Sequence, residues 1–206
     1  MFHKKATRHF FTVYEEFEKI IQIVVANGLK KRYNYNWIKF EFYINNNTES
    51  GGLQMSNSAK LSARERIESL VDANSFVEIG GMITKRNTDF NMQEKAVPAD
   101  GVITGYGVVN SNLVYIYSQD VTALNGSVGE MHAKKIAGIY EMAMKAGAPV
   151  IGLIDCAGIR VQEAMDALAG FGDIYMAKVN ASGVIPQISA ILGSCGGGVA
   201  ISSKLG

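Results

Sequence analysis

Two short apolar runs, residues 149–154 and 185–192, set the pattern of the second half of the chain. Neither alternates apolar with polar positions. Each therefore predicts a strand covered on both faces, as in a parallel sheet with helices packed over it. Each run gives way to small residues, Ala157-Gly158 after the first and Gly196-Gly197-Gly198 after the second. A helical pattern follows both times, from about 162 to 180 and from near Gly198. Upstream, residues 102–109 and 113–118 read as two strands joined by the turn residues Asn110-Ser111-Asn112, a hairpin. Ser127-Val128-Gly129-Glu130 has the Ser-x-x-Glu form of a capping box. After it Met131, Ile136, Ile139, Tyr140 and Met142 recur at helical spacing, and Gly147 with Pro149 stops the run. Ser62-Ala63-Arg64-Glu65 is another such box, opening a short helix over 62–72, and 76–79 reads as a strand. Residues 84–98 are polar and aperiodic, a long loop or a wrapped segment. Hairpin–helix, strand–helix, strand–helix describes a mixed α/β layered fold.

Residues 1–54 differ from the rest. Phe, Tyr, Asn, Ile and Lys supply 27 of the first 50 positions, and six of the nine Phe lie there. Residues 15–29 could form an amphipathic helix and 37–44 a strand. The segment reads as an appendage or a disordered extension. A sharper expectation comes from codons: these five residue types are the ones AT-rich triplets encode, and Gly51-Gly52 stands just before Met55. On that reading translation properly begins at Met55, and 1–54 is upstream sequence.

Composition narrows the class. Hydrophobic residues make up 48% and charged residues 19%, as in a globular chain with a full core. A net charge of +1 argues against nucleic acid or an anionic membrane as the main partner. No apolar run reaches the ~18–20 residues that span a bilayer, and acidic residues interrupt any signal-peptide pattern, so a cytoplasmic location is expected. Cys156 and Cys195 give neither a disulfide framework nor zinc-ligand spacing, and no metal is expected.

The stretches Asp155-Cys156-Ala157-Gly158-Ile159-Arg160-Val161-Gln162-Glu163, Ala181-Ser182-Gly183-Val184-Ile185-Pro186-Gln187-Ile188 and Gly193-Ser194-Cys195-Gly196-Gly197-Gly198 resemble the carboxyltransferase (β-type) subunits of biotin-dependent acyl-CoA carboxylases. That family includes propionyl-CoA carboxylase β chains and methylmalonyl-CoA carboxyltransferases. The resemblance runs from near Lys60 to the last residue. It takes in Leu61-Ser62-Ala63-Arg64-Glu65-Arg66-Ile67, Asp100-Gly101-Val102-Ile103-Thr104-Gly105, Ser118-Gln119-Asp120 and Glu130-Met131-His132-Ala133. It implies an α/β crotonase-like (ClpP/crotonase) spiral of ββα units, incomplete at the C-terminus, with 55–206 a partial N-terminal carboxyltransferase domain. It also implies carboxyl transfer between carboxybiotin and the α-carbon of a short acyl-CoA. The cofactor implied is biotin, carried on a partner protein or domain, and the substrate is a coenzyme A thioester. The partners implied are biotin carboxyl carrier and biotin carboxylase subunits, with homo-oligomer formation at full length. Two rivals stay open: the α subunit of a sodium-pumping acyl-CoA decarboxylase, and a non-catalytic fragment that only binds CoA or sister subunits.

Removing the α-proton of an acyl-CoA gives a thioester enolate whose oxyanion needs donors. N–H groups at a helix start have no partner inside the helix and can serve. Carried over by position, the site falls on Gly197 and Gly198 with Ala157 and Gly158 beside them. The alternative is that these residues only make tight turns. The family commonly has Ser-Gly-Gly-Ala-Arg where this chain has Cys156-Ala157-Gly158-Ile159-Arg160, and Ala157 is tolerable only without a positive φ. Gly193-Ser194-Cys195-Gly196-Gly197 also fits the nucleophile elbow of hydrolases, but no Asp, Glu or His follows it. Cys195 therefore reads as a buried structural thiol. His132 reads as a packing or capping residue. Arg64 and Arg66 either approach the CoA phosphates or lie on a solvated helix face. Asp155, Asp166 and Asp173 form no defensible carboxylate pair.

Overall fold

The computed structural model describes residues 41–43, 61–86 and 97–205. The proposed helix at 15–29, the Met55 start and positions 87–96 of the expected loop lie outside the described residues. Six strands form one sheet. They are β1 (Glu41–Tyr43), β2 (Val77–Ile79), β3 (Val102–Val109), β4 (Asn112–Gln119), β5 (Val150–Cys156) and β6 (Gln187–Cys195). Their order across the sheet is β1-β6-β5-β4-β3-β2. The pairs β2–β3 and β3–β4 are antiparallel, whereas β4–β5, β5–β6 and β1–β6 are parallel. The helices are α1 (Ala63–Glu68), α2 (Glu130–Ala146), α3 (Ala164–Ala181) and α4 (Gly198–Ser202).

All seven residues of β5 are buried, as its unbroken apolar run predicts. Val150, Ile154 and Cys156 face a core with Ile136, Ile139 and Tyr140 of α2 and Phe171 and Ile174 of α3. Ile151 and Leu153 face the opposite core, with Ile67 of α1, Ile116 and Ile188. The sheet thus has helices on both faces. Among the described residues no helix is long and apolar enough to cross a membrane.

Several boundaries differ from the sequence expectation. The first capping box forms as read, with Ser62 and Glu65 satisfying each other's backbone N–H, but α1 ends at Glu68. The reason is tertiary. The N–H of Asp72 donates to Val108 O at 2.7 Å, and its carboxylate accepts from Asn110 N and Ser111 N at 3.2 and 3.3 Å. Asp72 thereby ties the chain to the hairpin turn, where Asn110 and Ser111 both have positive φ. The second capping box does not form: Gly129 is the N-cap of α2 and Ser127 lies before it. Glu163 caps the helix instead, its Oε2 accepting from Glu130 N at 2.7 Å. β5 and β6 also run past the expected ends at Ile154 and Leu192. Their ladder resumes after a register shift and pairs Cys156 with Cys195.

Candidate functional site

The two small-residue turns lie side by side at the ends of β5 and β6. Gly196 N–H donates to Cys156 O at 3.0 Å. A Cβ on Gly196 would stand 2.2 Å from Ala157 O, so only glycine lets the turns approach this closely. Gly158 has φ +118°, a conformation that favours glycine, whereas Ala157 is absent from the positive-φ residues, which is why alanine is accommodated there.

The four expected donors are not equivalent. Ala157 N–H donates to Asn125 O at 3.0 Å. Its backbone proton is therefore held inside the fold, and Ala157 is corrected from oxyanion donor to turn residue. Gly158 N–H points at Cys156 Sγ, 3.3 Å away, a weak acceptor. Among the described residues, the N–H groups of Gly197 and Gly198 make no hydrogen bond. They open α4, and the space a Cβ would take at Gly197 is empty to 4 Å. Gly198 has a wall behind it: Tyr175 donates its hydroxyl to Gly198 O at 2.8 Å, and Phe171 packs beside it. The start of α4 thus carries two unengaged backbone donors, with open space beside Gly197 and aromatic rings against Gly198. Such an arrangement can hold a small anionic oxygen.

Beneath the turns lies a buried charge network that sequence reasoning missed. Arg160 pairs with Asp100 and Glu163, all with side chains fully enclosed. The Arg160–Glu163 contact is 2.8 Å, and Arg160 Nη2 also donates to Ser127 O at 2.8 Å. Asp100 Oδ2 accepts from His132 N at 2.7 Å. Burial pushes the Asp100 carboxyl above the usual carboxylate range, against the pull of Arg160. These residues come from three stretches, around 100, 127–132 and 160–163, and only the Arg160–Glu163 pair is local, so spacing along the sequence could not have united the network. Arg66 is a second correction. It is buried and pairs with Asp155 at 2.8 Å, so it lies neither on a solvated face nor toward a phosphate. Arg64 is exposed and pairs with Glu78. Cys195 is half-buried rather than buried. Among the described residues no cluster of three or more His, Cys, Asp or Glu is placed to hold a metal ion.

His132 is a packing residue, as expected. Its ring contacts Gln119 Nε2 at 3.2 Å and Asp100 O at 2.9 Å. Burial pushes it down to about 3. The unfolded chain binds this proton near pH 6.5, where the native state does not, so stability falls as pH drops below ~6.5 by about 1.4 kcal/mol per unit. Urea midpoints should give about 2 kcal/mol less stability at pH 5 than at pH 7 from this group. His132→Gln should remove that difference, and an unchanged pH slope in the variant would refute the assignment.

Residues 54–206 match the family model described as the carboxyl transferase domain. The chain is 52% identical over 146 residues to the propionyl-CoA carboxylase beta chain of Roseobacter denitrificans, covering 71% of this chain and 29% of that protein. It is 51% identical over 146 residues to the methylmalonyl-CoA decarboxylase subunit alpha of Veillonella parvula, with the same coverage of each chain. The chain thus spans about 29% of the length of these curated relatives. Among solved structures it resembles transcarboxylase 12S with methylmalonyl-coenzyme A and methylmalonic acid bound. The TM-score is 0.70 and the identity 42%, over 71% of this chain and 28% of that one. A Pseudomonas malonate decarboxylase hetero-tetramer in complex with malonate gives a TM-score of 0.61 at 29% identity, over 69% of this chain and 55% of that one. The fold is the crotonase-like one expected: a ββα unit, β3–β4–α2, followed by strand–helix repeats on one sheet.

Proposed function

The chain belongs to the carboxyl transferase domain family, and on that premise we propose that it supplies a backbone oxyanion site for carboxyl transfer to and from the α-carbon of a short acyl-CoA. Propionyl- and methylmalonyl-CoA are the substrates proposed. The observation that carries the reading is the pair of unengaged N–H groups at Gly197 and Gly198 beside the Gly158 turn. When the α-proton leaves, negative charge collects on the thioester oxygen. Two fixed amides aimed at that oxygen need no reorganisation as the charge grows, and each such donor is worth ~10²–10³ in rate. No side-chain triad is needed for this, which agrees with a turn built of small residues. Biotin, carried on a partner protein or domain, would supply the transferable carboxyl group and, after losing it, the base. Either a thioester oxygen or a ureido oxygen would suit these donors, since both are small acceptors and the Gly197 side is open.

Partners on this reading are biotin carboxyl carrier and biotin carboxylase subunits, with further copies of the chain in an oligomer. Residues 55–206 would form the carboxyltransferase unit and 1–54 an extension before it, a division supported by the family match over 54–206. A second reading, the α subunit of a sodium-pumping acyl-CoA decarboxylase, rests on the 51% identity to the Veillonella protein, against 52% to the carboxylase beta chain. Both readings use the same donors. Net CO₂ release from methylmalonyl-CoA separates the second from transfer to an acceptor acyl-CoA.

The test of the shared core is direct. Titrating methylmalonyl-CoA into ¹⁵N-labelled protein should shift the amide resonances of Gly197 and Gly198 more than those of Ala157. Unmoved Gly197 and Gly198 signals at saturating ligand would overturn the proposal.

A further inference from the structure

The chain has two cysteines, and the fold brings them together from 39 positions apart. Cys156 ends β5, Cys195 ends β6, and the two are register partners in the parallel ladder. Neighbouring strands lie about 4.8 Å apart, and disulfides span Cα separations of about 4.4–6.8 Å. Paired positions project to the same face of a sheet, and here both residues belong to the same apolar core beneath α2 and α3. In this structure both are thiols. The proposed oxyanion chemistry uses neither thiol.

We propose that Cys156 and Cys195 form a redox-active pair, and that a peroxide oxidant closes an intrachain disulfide across the ends of β5 and β6. Cys195, only half-buried, is the sulfur that peroxide reaches. Its thiol takes one oxygen from hydrogen peroxide to become a sulfenic acid, and one water leaves. Cys156 Sγ then attacks that sulfur. The S–O bond breaks, the S–S bond forms, and the hydroxide departs with the Cys156 proton as a second water. Two thiols give up two electrons and peroxide is reduced to two waters, so the step balances. The order follows from environment. Burial pushes the Cys156 thiol up to about 11, with Cys195 adding in the same direction, so Cys156 is the resolving rather than the sensing sulfur.

The cross-link has a local consequence. In the reduced state Cys156 Sγ accepts from Gly158 N at 3.3 Å and its S–H donates to Gly158 O at 3.5 Å. Bonding that sulfur to Cys195 turns it away from Gly158 and removes the S–H. The Gly158 N–H then loses its acceptor beside the turn that carries Gly197 and Gly198. That consequence for substrate rests on the proposed function; the thiol pair itself does not.

The experiment treats the whole chain with equimolar hydrogen peroxide, denatures it, alkylates remaining thiols and weighs the intact protein. The expected result is a fall from two alkylated thiols to none at monomer mass, reversed by dithiothreitol. Cys156→Ser should give no intrachain cross-link, with Cys195 trapped as sulfenic acid by a dimedone-type probe. Faster hydrogen exchange at the Gly158 amide after oxidation would match the loss of its sulfur acceptor. Two thiols still alkylated, oxidation of Cys195 to sulfinic acid in the intact pair, or cross-linking only between chains would each overturn the proposal. If the disulfide forms but methylmalonyl-CoA leaves Gly197 and Gly198 unmoved, the functional reading fails and the thiol pair stands.

Discussion

Replacing Arg160 with methionine should destabilise this protein by about 3–5 kcal/mol, the usual effect of removing one partner from a buried ion pair. The guanidinium lies between Asp100 and Glu163 with no exposure on any of the three side chains. It also holds Ser127 O at 2.8 Å. Methionine matches much of its length but leaves two carboxylates facing each other in a low-dielectric interior. Asp100 already shows the strain: burial raises its carboxyl even with Arg160 present. The damage would spread, because Glu163 caps α2 through Glu130 N at 2.7 Å and Asp100 holds His132 N at 2.7 Å. Arg160→Met combined with Asp100→Asn and Glu163→Gln should recover part of the loss, since the uncompensated charges go with the arginine. Urea unfolding at pH 7 measures both. A loss below about 1 kcal/mol in the single variant, the range of exposed pairs, would mean that water reaches the network.

The largest expected effect on chemistry is at Gly198. Gly198→Ala should lower biotin-dependent carboxyl transfer by ~10²–10³-fold, the effect of losing one oxyanion donor. A Cβ there would stand 2.7 Å from the Tyr175 hydroxyl and 3.0 Å from the Phe171 ring. Neither neighbour is a loose chain end. The first turn of α4 must move, and it carries both donor amides with it. Adding Tyr175→Phe removes the closest atom, so the double variant should regain part of the rate. The assay follows transfer of labelled carboxyl from methylmalonyl-CoA to biotin, with circular dichroism checking the fold. A fully active, normally folded Gly198→Ala protein would show that these amides do not meet the developing charge.

Much of the architecture was legible along the chain because it depends on local chemistry. The apolar run at 149–154 has no polar position to leave outside, so it had to be covered twice, and it is. The Ser62–Glu65 box needs only residues three apart, and it forms. The second box failed because Gly129 lies against Arg160 and Glu163, and a carboxylate from 33 residues away took the capping position. The burial of Arg66 escapes a local reading for a similar reason: its partner Asp155 is 89 positions distant. A charged residue on a short helix looks solvated until the fold brings a carboxylate under it.

The order of strands and helices, the turns of small residues and the backbone nature of the candidate site were determined by the sequence itself. They follow from periodicity, missing Cβ atoms and residues within a few positions of one another. Which amides stay unengaged was decided only in three dimensions. Asn125 O reaches Ala157 N and removes it from the set, while no acceptor among the described residues reaches the N–H of Gly197 or Gly198. The pairing of Cys156 with Cys195 and the Asp100–Arg160–Glu163 network have the same origin. Hydrogen bonds and charge pairs act over a few ångströms, and only the folded sheet converts distant positions into such distances.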